Sequence, residues 1–170
     1  MIRFATIGSG AIVEQFLTEA QKHPDFRLTA VYSRTAERAA EFAAQWGAVL
    51  TFTDLAQLAA CGEVDAVYIA SPNLCHAEQA ITLMKAGKHI LCEKPMAMSR
   101  QETEALVALA REKGVFFMEA LWTRFFPIYY WLRDLIASGE MGKVSNVMAD
   151  FSSHNEYDPE YRFFKKELAA

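Results

Sequence analysis

Residues 2–13, IRFATIGSGAIV, join an apolar run to two glycines and then to the start of a helical pattern. Residues 2–8 have the apolar and β-branched composition of a buried strand. Gly8 would let the chain turn sharply, and Gly10 would let the backbone approach a pyrophosphate at the positive end of the following helix. The segment therefore predicts a strand–turn–helix unit that binds a dinucleotide.

The glycine fingerprint is incomplete, because its third position is Val13. That glycine normally serves helix–strand packing, so its loss should affect packing more than phosphate contact. A G-x-G pair alone is often only a tight turn, and its place directly after the first strand is what favours a phosphate site. Ala11 and Ile12 begin the predicted helix and are expected to join that site. The same helix carries Ile12, Phe16 and Ala20 on one face.

Strand and helix patterns alternate along most of the chain. Further strands are predicted at 28–33, 65–71, 89–93 and 115–119, with a short extra one at 51–52. The segments between them carry apolar residues at helical spacing. Repeated strand–helix units predict an α/β fold, a Rossmann-type doubly wound parallel sheet with helices on both faces.

The end of the second strand indicates which dinucleotide is bound. An NAD site usually has an acidic residue about 20 residues after the glycines, on the ribose 2′-hydroxyl. Asp25 precedes the second strand, which ends in Ser33-Arg34, with Arg38 one helical turn later. Guanidinium groups match phosphate geometry, so these residues favour NADP, with NAD possible. The alternative is that Arg34 and Arg38 are solvated charges at a helix start.

Polar residues also follow the strand predicted at 65–71. It ends in Ser71-Pro72-Asn73, and His76 falls in the first turn of the next helix. In an open parallel sheet, ligands bind at the carboxyl ends of the strands. These four residues are therefore expected to face the cofactor crevice. For His76 the alternative is a contact with local backbone.

A charged pair, Glu93-Lys94, ends the strand predicted at 89–93 and precedes Pro95. At this edge of the sheet the pair would face the crevice and not the core. The cis isomer is accessible at the Lys94–Pro95 bond and would set the direction of the lysine. A lysine beside an oxidised nicotinamide experiences a positive charge that favours its neutral, proton-accepting form. The alternative is an exposed loop lysine.

Three motifs and one longer segment together carry a family resemblance. The motifs are the G-x-G pair, S-P-N-x-x-H at 71–76 and E-K-P at 93–95, and the segment is MEALWTRFFP at 118–127. They resemble the glucose–fructose oxidoreductase / inositol dehydrogenase family (Gfo/Idh/MocA). The segment is similar to its dimeric dihydrodiol dehydrogenase and NADP-dependent D-xylose dehydrogenase branch.

The resemblance implies an NADP-dependent oxidoreductase that oxidises a sugar or diol hydroxyl by hydride transfer to nicotinamide. It implies that Lys94 is the catalytic lysine. It also places near the cofactor Glu93, Asn73, His76, Trp122 and Arg124. A non-catalytic NAD(P)-binding module or cofactor sensor is the alternative function.

The family pattern further predicts two domains, a dinucleotide-binding domain at 1–122 and the start of a second, α+β domain at 123–170. The second would hold a connecting helix at 126–142 and a first strand at 143–154. Because the rest of that substrate and dimerisation domain is absent, this chain alone is expected to bind NADP but to be inactive. From about 143 onward it should be poorly ordered or pair with another copy. The full-length protein is expected to form a homodimer or larger oligomer.

Bulk properties exclude several other classes of partner. A formal net charge of −4 gives no basic surface for nucleic acid. No apolar run reaches the ~18 residues of a membrane span, and the N-terminus lacks a signal-peptide pattern. The three cysteines show no C-x-x-C spacing, so no metal site or disulfide framework is predicted. A cytoplasmic protein with a small-molecule substrate is expected.

Overall fold

The computed structural model describes residues 1–152, 154, 156–161, 164 and 165. It divides the chain into two compact units, Met1–Ala120 and Leu121–Ala169. The strands are β1 (Ile2–Ile7), β2 (Phe26–Tyr32), β3 (Leu50–Phe52), β4 (Ala66–Ile69), β5 (His89–Cys92) and β6 (Phe117–Glu119). The helices are α1 (Ala11–Ala20), α2 (Ala36–Trp46), α3 (Leu55–Ala60), α4 (His76–Lys85), α5 (Arg100–Lys113) and α6 (Pro127–Ser138).

The first unit is a single parallel sheet with the strand order β3-β2-β1-β4-β5-β6. The chain runs outward from β1 in one direction and then, from β4 onward, in the other. The carboxyl ends of β1 and β4 therefore flank the point where the strand order reverses, which is where such sheets bind ligands. The predicted Rossmann-type fold is confirmed, and every strand predicted in this unit forms, with ends shifted by one or two residues.

The sheet is covered on both faces, and alternate residues of its strands enter different cores. On β4, Val67 and Ile69 belong to the larger core, which also contains buried residues of α3, α4 and α5. Tyr68, between them, points to the other face and packs with Val13 and Leu17 of α1 and with buried residues of α2. This period of two is what a strand with both faces covered requires.

The buried face of α1 differs from the predicted one. Val13 and Leu17 are fully buried, whereas Ile12 is 38% exposed. Phe16 packs against the same core from a partly exposed position. Because residues 12, 13, 16 and 17 are all apolar, the helical period alone did not determine which edge of this stripe meets the sheet. Val13, which replaces the third fingerprint glycine, is a core residue.

One helix of the first unit was not predicted. α3 begins after Asp54, whose Oδ1 accepts hydrogen bonds from the backbone N–H groups of Ala56 (2.7 Å) and Gln57 (3.3 Å). This is an ordinary N-cap, and the aspartate was the signal that could have located the helix. No helix in the part of the chain that the structure describes is both long and apolar enough to cross a membrane.

The second unit contains a 3-10 turn, Trp122–Phe125, followed by α6. The predicted connecting helix at 126–142 is thus present but shorter, ending at Gly139 in the left-handed conformation (φ 76°). The strand predicted at 143–154 is wrong over the residues described there, because 143–152 carry no strand. An alternating pattern yields a strand only where a partner edge supplies hydrogen bonds, and no described segment pairs with this one.

An ion pair joins β1 to the loop before β4. Arg3 Nη2 donates to Asp65 Oδ1 at 2.6 Å, and Arg3 Nε and its backbone N–H donate to Asp65 Oδ2 at 3.0 and 2.9 Å. Side-chain hydrogen bonds from Arg3, followed by its backbone hydrogen bond, lower the pKa of Asp65 from 3.8 to about 2. The pair therefore fixes the two central strands to one another at their amino ends.

Replacing Asp65 by Asn should destabilise the fold at neutral pH, and the loss should shrink in acid. Since the folded-state pKa lies below the ordinary value, the pair stabilises fully above about pH 4 and ceases to do so as the pH falls through about 2. Urea unfolding of wild type and Asp65→Asn across this range checks it. A gap in midpoints that stayed constant with pH would contradict the role given to this pair.

Candidate functional site

The carboxyl ends of β1, β2 and β4 enclose a pocket of about 500 Å³ in the first unit. Six of the residues predicted from the sequence line it: Gly8, Ser33, Arg34, Arg38, Ser71 and Pro72. The other lining residues were not predicted from the sequence; they are Ile7, Ser9, Tyr32, Thr35, Ala70, Cys75 and Gln79. Most of them are immediate neighbours of a predicted residue, so the strand ends themselves were the signal.

The two glycines of the first loop have different structural roles. Gly8 has φ +108°, and a Cβ built on it would lie 2.5 Å from the carbonyl oxygen of Ala70. A side chain there is excluded both by the conformation and by the end of β4. Gly10 is the N-cap of α1 in extended conformation (φ −92°), and no heavy atom lies within 4 Å of a Cβ built on it. The chain is thus closely packed at Gly8 and open at Gly10.

The start of α1 offers unpaired donors beside that open space. No side chain caps the helix at Gly10. Ala11 and Ile12 are exposed at its first turn. The first N–H groups of a helix have no intrahelical acceptor and carry its positive dipole end, so they suit a phosphate. This geometry fits the pyrophosphate site predicted from the sequence.

Arg34 and Arg38 both line the pocket, but only one guanidinium is free. Arg38 Nε donates to Ser9 Oγ and Arg38 Nη2 donates to Ser9 O, each at 2.9 Å, while Nη1 pairs with Glu41 Oε2 at 2.7 Å. Arg38 therefore connects α2 to the glycine loop. The Arg34 guanidinium has no hydrogen bond or ion pair with any residue that the structure describes. The Arg34 guanidinium is therefore available to a ligand anion in this pocket.

The wall formed after β4 is polar. Ser71 Oγ donates to Gln79 Oε1 at 2.6 Å, and both residues line the pocket beside Pro72. Asn73 begins the neighbouring 3-10 turn, Asn73–Cys75, and is not among the lining residues, so its cofactor contact stays a prediction.

His76 does not present a polar atom to the pocket. Its ring is fully buried, with Nδ1 2.8 Å from Pro95 O and Nε2 2.9 Å from Ser71 O. Both neighbouring atoms are backbone carbonyl oxygens, and a neutral ring donates to one of them, from whichever nitrogen carries the proton. The ring contacts backbone, as the alternative interpretation of the sequence held, and its predicted place beside the cofactor stays a prediction. The ring joins the segment after β4 to the segment after β5.

Lys94 extends from this second segment as an exposed residue. Its Nζ forms no hydrogen bond or ion pair with the described part of the chain, and the Lys94–Pro95 peptide bond is cis, as its sequence allowed. Glu93 forms no ion pair with Lys94 Nζ. Its Oε1 accepts a 2.7 Å hydrogen bond from the hydroxyl of Tyr68 on β4, and its Oε2 accepts one of 3.3 Å from Lys94 N–H.

Two groups beneath this segment are kept protonated. Burial, and next the hydrogen bond to Glu93, raise the pKa of Tyr68 well above its ordinary value, so its hydroxyl remains a donor. Burial, followed by the charges of Glu93 and Glu119, raises the pKa of Cys92 to about 12. The Cys92 thiol is therefore unreactive at neutral pH.

Trp122 and Arg124 belong to the second unit, in the 3-10 turn that precedes α6. The Trp122 ring is 57% exposed and lies edge-on to Phe126, with ring centroids 5.2 Å apart. Their predicted place beside the cofactor stays a prediction. Among the residues the structure describes, no cluster of three or more His, Cys, Asp or Glu could hold a metal ion.

Comparison with known proteins agrees with this geometry. Residues 2–121 match Gfo/Idh/MocA, described as an oxidoreductase family with an NAD-binding Rossmann fold. The chain is 46% identical over 165 residues to scyllo-inositol 2-dehydrogenase (NADP(+)) of Bacillus subtilis (strain 168), covering 97% of this chain and 49% of that protein. It is 35% identical over 155 residues to trans-1,2-dihydrobenzene-1,2-diol dehydrogenase of Bos taurus, covering 90% and 46% respectively.

A solved structure gives the same result. The 3-ketoreductase KijD10 from Actinomadura kijaniata, crystallised with NADP and TDP-benzene, superposes with a TM-score of 0.74 at 33% identity, covering 81% of this chain and 42% of that one. The chain thus spans about half the length of the relatives it matches. The predicted family is confirmed, and a dihydrodiol dehydrogenase among the relatives agrees with the predicted branch.

The two glycines provide a matched pair of substitutions. Gly8→Ala should lower the free energy of unfolding by more than about 2 kcal/mol, because it meets Ala70 O and needs a left-handed backbone. Gly10→Ala should change it by less than about 1 kcal/mol, because nothing lies near the new methyl group. Gly10→Ala should instead weaken dinucleotide binding by about tenfold or more, since a methyl group would keep the pyrophosphate from the backbone.

Chemical denaturation and calorimetric titration with NADP measure the two effects separately. The role given to Gly10 is contradicted if the folded Gly10→Ala variant binds NADP as tightly as wild type.

Proposed function

The chain belongs to the Gfo/Idh/MocA family of oxidoreductases, which has an NAD-binding Rossmann fold, and from that membership we propose that it uses NADP to oxidise a hydroxyl group of a sugar or diol. The observation that carries the cofactor choice is Arg34, an unpaired guanidinium beside Ser33 in the pocket at the end of β2. An acidic residue there would bind a ribose 2′-hydroxyl and repel a 2′-phosphate, and none lines this pocket.

Different residues in and beside the pocket would bind different parts of the cofactor. The N–H groups at the start of α1 would bind the pyrophosphate, and Gly10 would keep the approach to them open. Arg34 and the Ser33 hydroxyl would bind the 2′-phosphate. Arg38, held by Ser9 and Glu41, would keep the loop in place and add positive charge. The names of two relatives, one an NADP-dependent inositol dehydrogenase and one solved with NADP, support this cofactor.

Lys94 is proposed to accept the proton that the substrate hydroxyl loses. When bound, the nicotinamide supplies the acceptor for the hydride that leaves the carbinol carbon. The hydroxyl oxygen must lose its proton as that carbon becomes a carbonyl, and Nζ of Lys94 would accept it. Lys94 is exposed, and its Nζ has no partner among the residues that the structure describes, so it is free for this role. Sugar and diol substrates are proposed because the two similar dehydrogenases are named for an inositol and a diol.

Changing Arg34 to Asp should weaken NADP binding by more than about tenfold while leaving NAD binding nearly unchanged, since only NADP carries the 2′-phosphate. Calorimetric titration with both cofactors measures this. Arg27→Asp is the matched control, because it makes the same charge change at the other end of β2.

Equal losses for NADP and NAD in Arg34→Asp would contradict the cofactor proposal. A comparable loss of NADP binding in Arg27→Asp would show that general charge, not the pocket, is responsible.

Lys94→Ala should lower turnover by about 100-fold or more with the Kd for NADP nearly unchanged, because a lost proton acceptor affects the chemical step and not cofactor binding. The assay follows NADPH formation by the full-length protein with inositols, aldoses and diols, and Lys85→Ala, another exposed lysine, is the control. A Lys94→Ala variant that kept its turnover would show that the lysine is only a charge at a strand end. NADP binding without turnover on any hydroxyl substrate would favour a binding module or sensor.

A further inference from the structure

One peptide group next to Lys94 is held at both of its polar ends. Its carbonyl oxygen, on Pro95, lies 2.8 Å from Nδ1 of His76. Its N–H, on Met96, donates to Oε1 of Glu119 at 2.9 Å. His76 begins α4 and Glu119 ends β6, the edge strand of the sheet. The plane of this peptide is thus fixed between a helix and the sheet edge.

With the ring proton on Nδ1 of His76, the two contacts strengthen each other. A peptide group that accepts at its oxygen and donates from its nitrogen is polarised in the same direction by both bonds. The acceptor on the nitrogen side is a carboxylate, which makes a stronger hydrogen bond than a neutral oxygen. His76 is fully buried, so its side of the contact is also protected from competing water.

This peptide group restrains the backbone at Lys94, because a single proline lies between them. The pyrrolidine ring of Pro95 fixes φ at about −65°, so ψ of Pro95 is the one rotation left between the peptide group after Pro95 and the one before it. On the other side, Glu93 N–H donates to Ile69 O at 2.8 Å and its carboxylate is bound by Tyr68. Lys94 therefore sits between two fixed points while its own side chain is free.

We propose that Glu119 and His76 are positioning residues for Lys94: by fixing the Pro95–Met96 peptide group they set the direction in which the lysine enters the site. The inference rests on the proposed function of Lys94 as proton acceptor. Neither side chain touches substrate in this role. Both act through the backbone of the lysine segment.

The second contact of His76 extends the role to the cofactor pocket. Its Nε2 lies 2.9 Å from the carbonyl oxygen of Ser71, a residue of the pocket wall. One buried ring therefore contacts both the wall that would hold the cofactor and the segment that carries Lys94. A proton acceptor must lie within hydrogen-bond reach of its target, so this relation sets the geometry that the reaction needs.

A neighbouring carboxylate provides the matched control. Glu102 Oε2 accepts a hydrogen bond from Met98 N–H at 2.9 Å, the same length as the bond from Met96 to Glu119. That contact lies at the start of α5, where Ser99 Oγ in turn accepts from Glu102 N–H. Glu102→Ala removes the same type of bond two residues further from Lys94.

The first test measures the restraint itself and needs no turnover. In Glu119→Ala, hydrogen exchange of the Met96 amide should accelerate by about tenfold or more, while amides of β4 and β5 stay protected. Glu119→Gln, which keeps an acceptor oxygen, should retain most of the Met96 protection. Glu102→Ala should leave Met96 unchanged. Equal exchange at Met96 in wild type and Glu119→Ala overturns the inference.

The second test measures the consequence for the reaction in the full-length protein. Glu119→Ala should lower kcat about 10- to 100-fold with KM and the Kd for NADP within about twofold, because a displaced lysine affects the chemical step. Glu119→Gln should restore most of kcat, and Glu102→Ala should keep it. A purely structural role for Glu119 would instead lower protein stability and NADP affinity together.

The contacts of the two ring nitrogens of His76 can be separated in the same assay. Asn places its amide near the position of Nδ1 and Gln places it near Nε2, so His76→Asn should retain more turnover than His76→Gln. If His76→Gln retained more turnover than His76→Asn, only the contact of Nε2 with Ser71 would matter, and the role of His76 in positioning Lys94 would be overturned. Glu119 variants decide the inference where a His76 variant does not fold.

Lys94→Ala distinguishes failure of this inference from failure of the proposed function. If Lys94→Ala keeps its turnover, the proposed function is wrong and positioning the lysine has no purpose. If Lys94→Ala loses turnover while Glu119→Ala keeps it, the proposed function stands and the positioning role is wrong.

Discussion

The contact between the end of β1 and the end of β4 is the constraint on which this structure depends. At Gly8 the chain passes so close to the Ala70 carbonyl that no side chain fits. That contact brings together the two strands from which the sheet extends in opposite directions. It also directs the chain into α1, whose first turn is exposed. Fold and pocket therefore share one steric requirement, since a looser junction would separate the two strand ends that form the crevice.

Much of this architecture was predictable because it depends on local pattern. Strand composition, helical periodicity and the position of Gly8 relative to the first strand were sufficient for the parallel sheet. The rule that ligands lie at the carboxyl ends of strands predicted from sequence alone that Arg34 and Ser71 would line the pocket. Lys94 was placed at that edge of the sheet by its position after β5.

What the sequence did not reveal are contacts between residues distant along the chain. Tyr68 and Glu93 are separated by 25 positions, and Met96 and Glu119 by 23, so no local pattern links them. Other differences arise where a pattern allows two answers, as in the apolar stripe of α1. The strand expected near 143–154 shows a third reason. A strand forms only when a second segment supplies its hydrogen bonds, and the alternating pattern of one segment does not show whether such a partner exists.

The hydrogen bonds of Arg38 have a consequence for how a ligand would bind. Because the guanidinium already holds Ser9 at both its hydroxyl and its carbonyl, the glycine loop is preorganised before any phosphate arrives. A loop that is ordered in advance loses little conformational entropy on binding, so more of the interaction energy contributes to affinity. The arginine thereby contributes to binding through the free state of the protein, which a list of ligand contacts would not reveal.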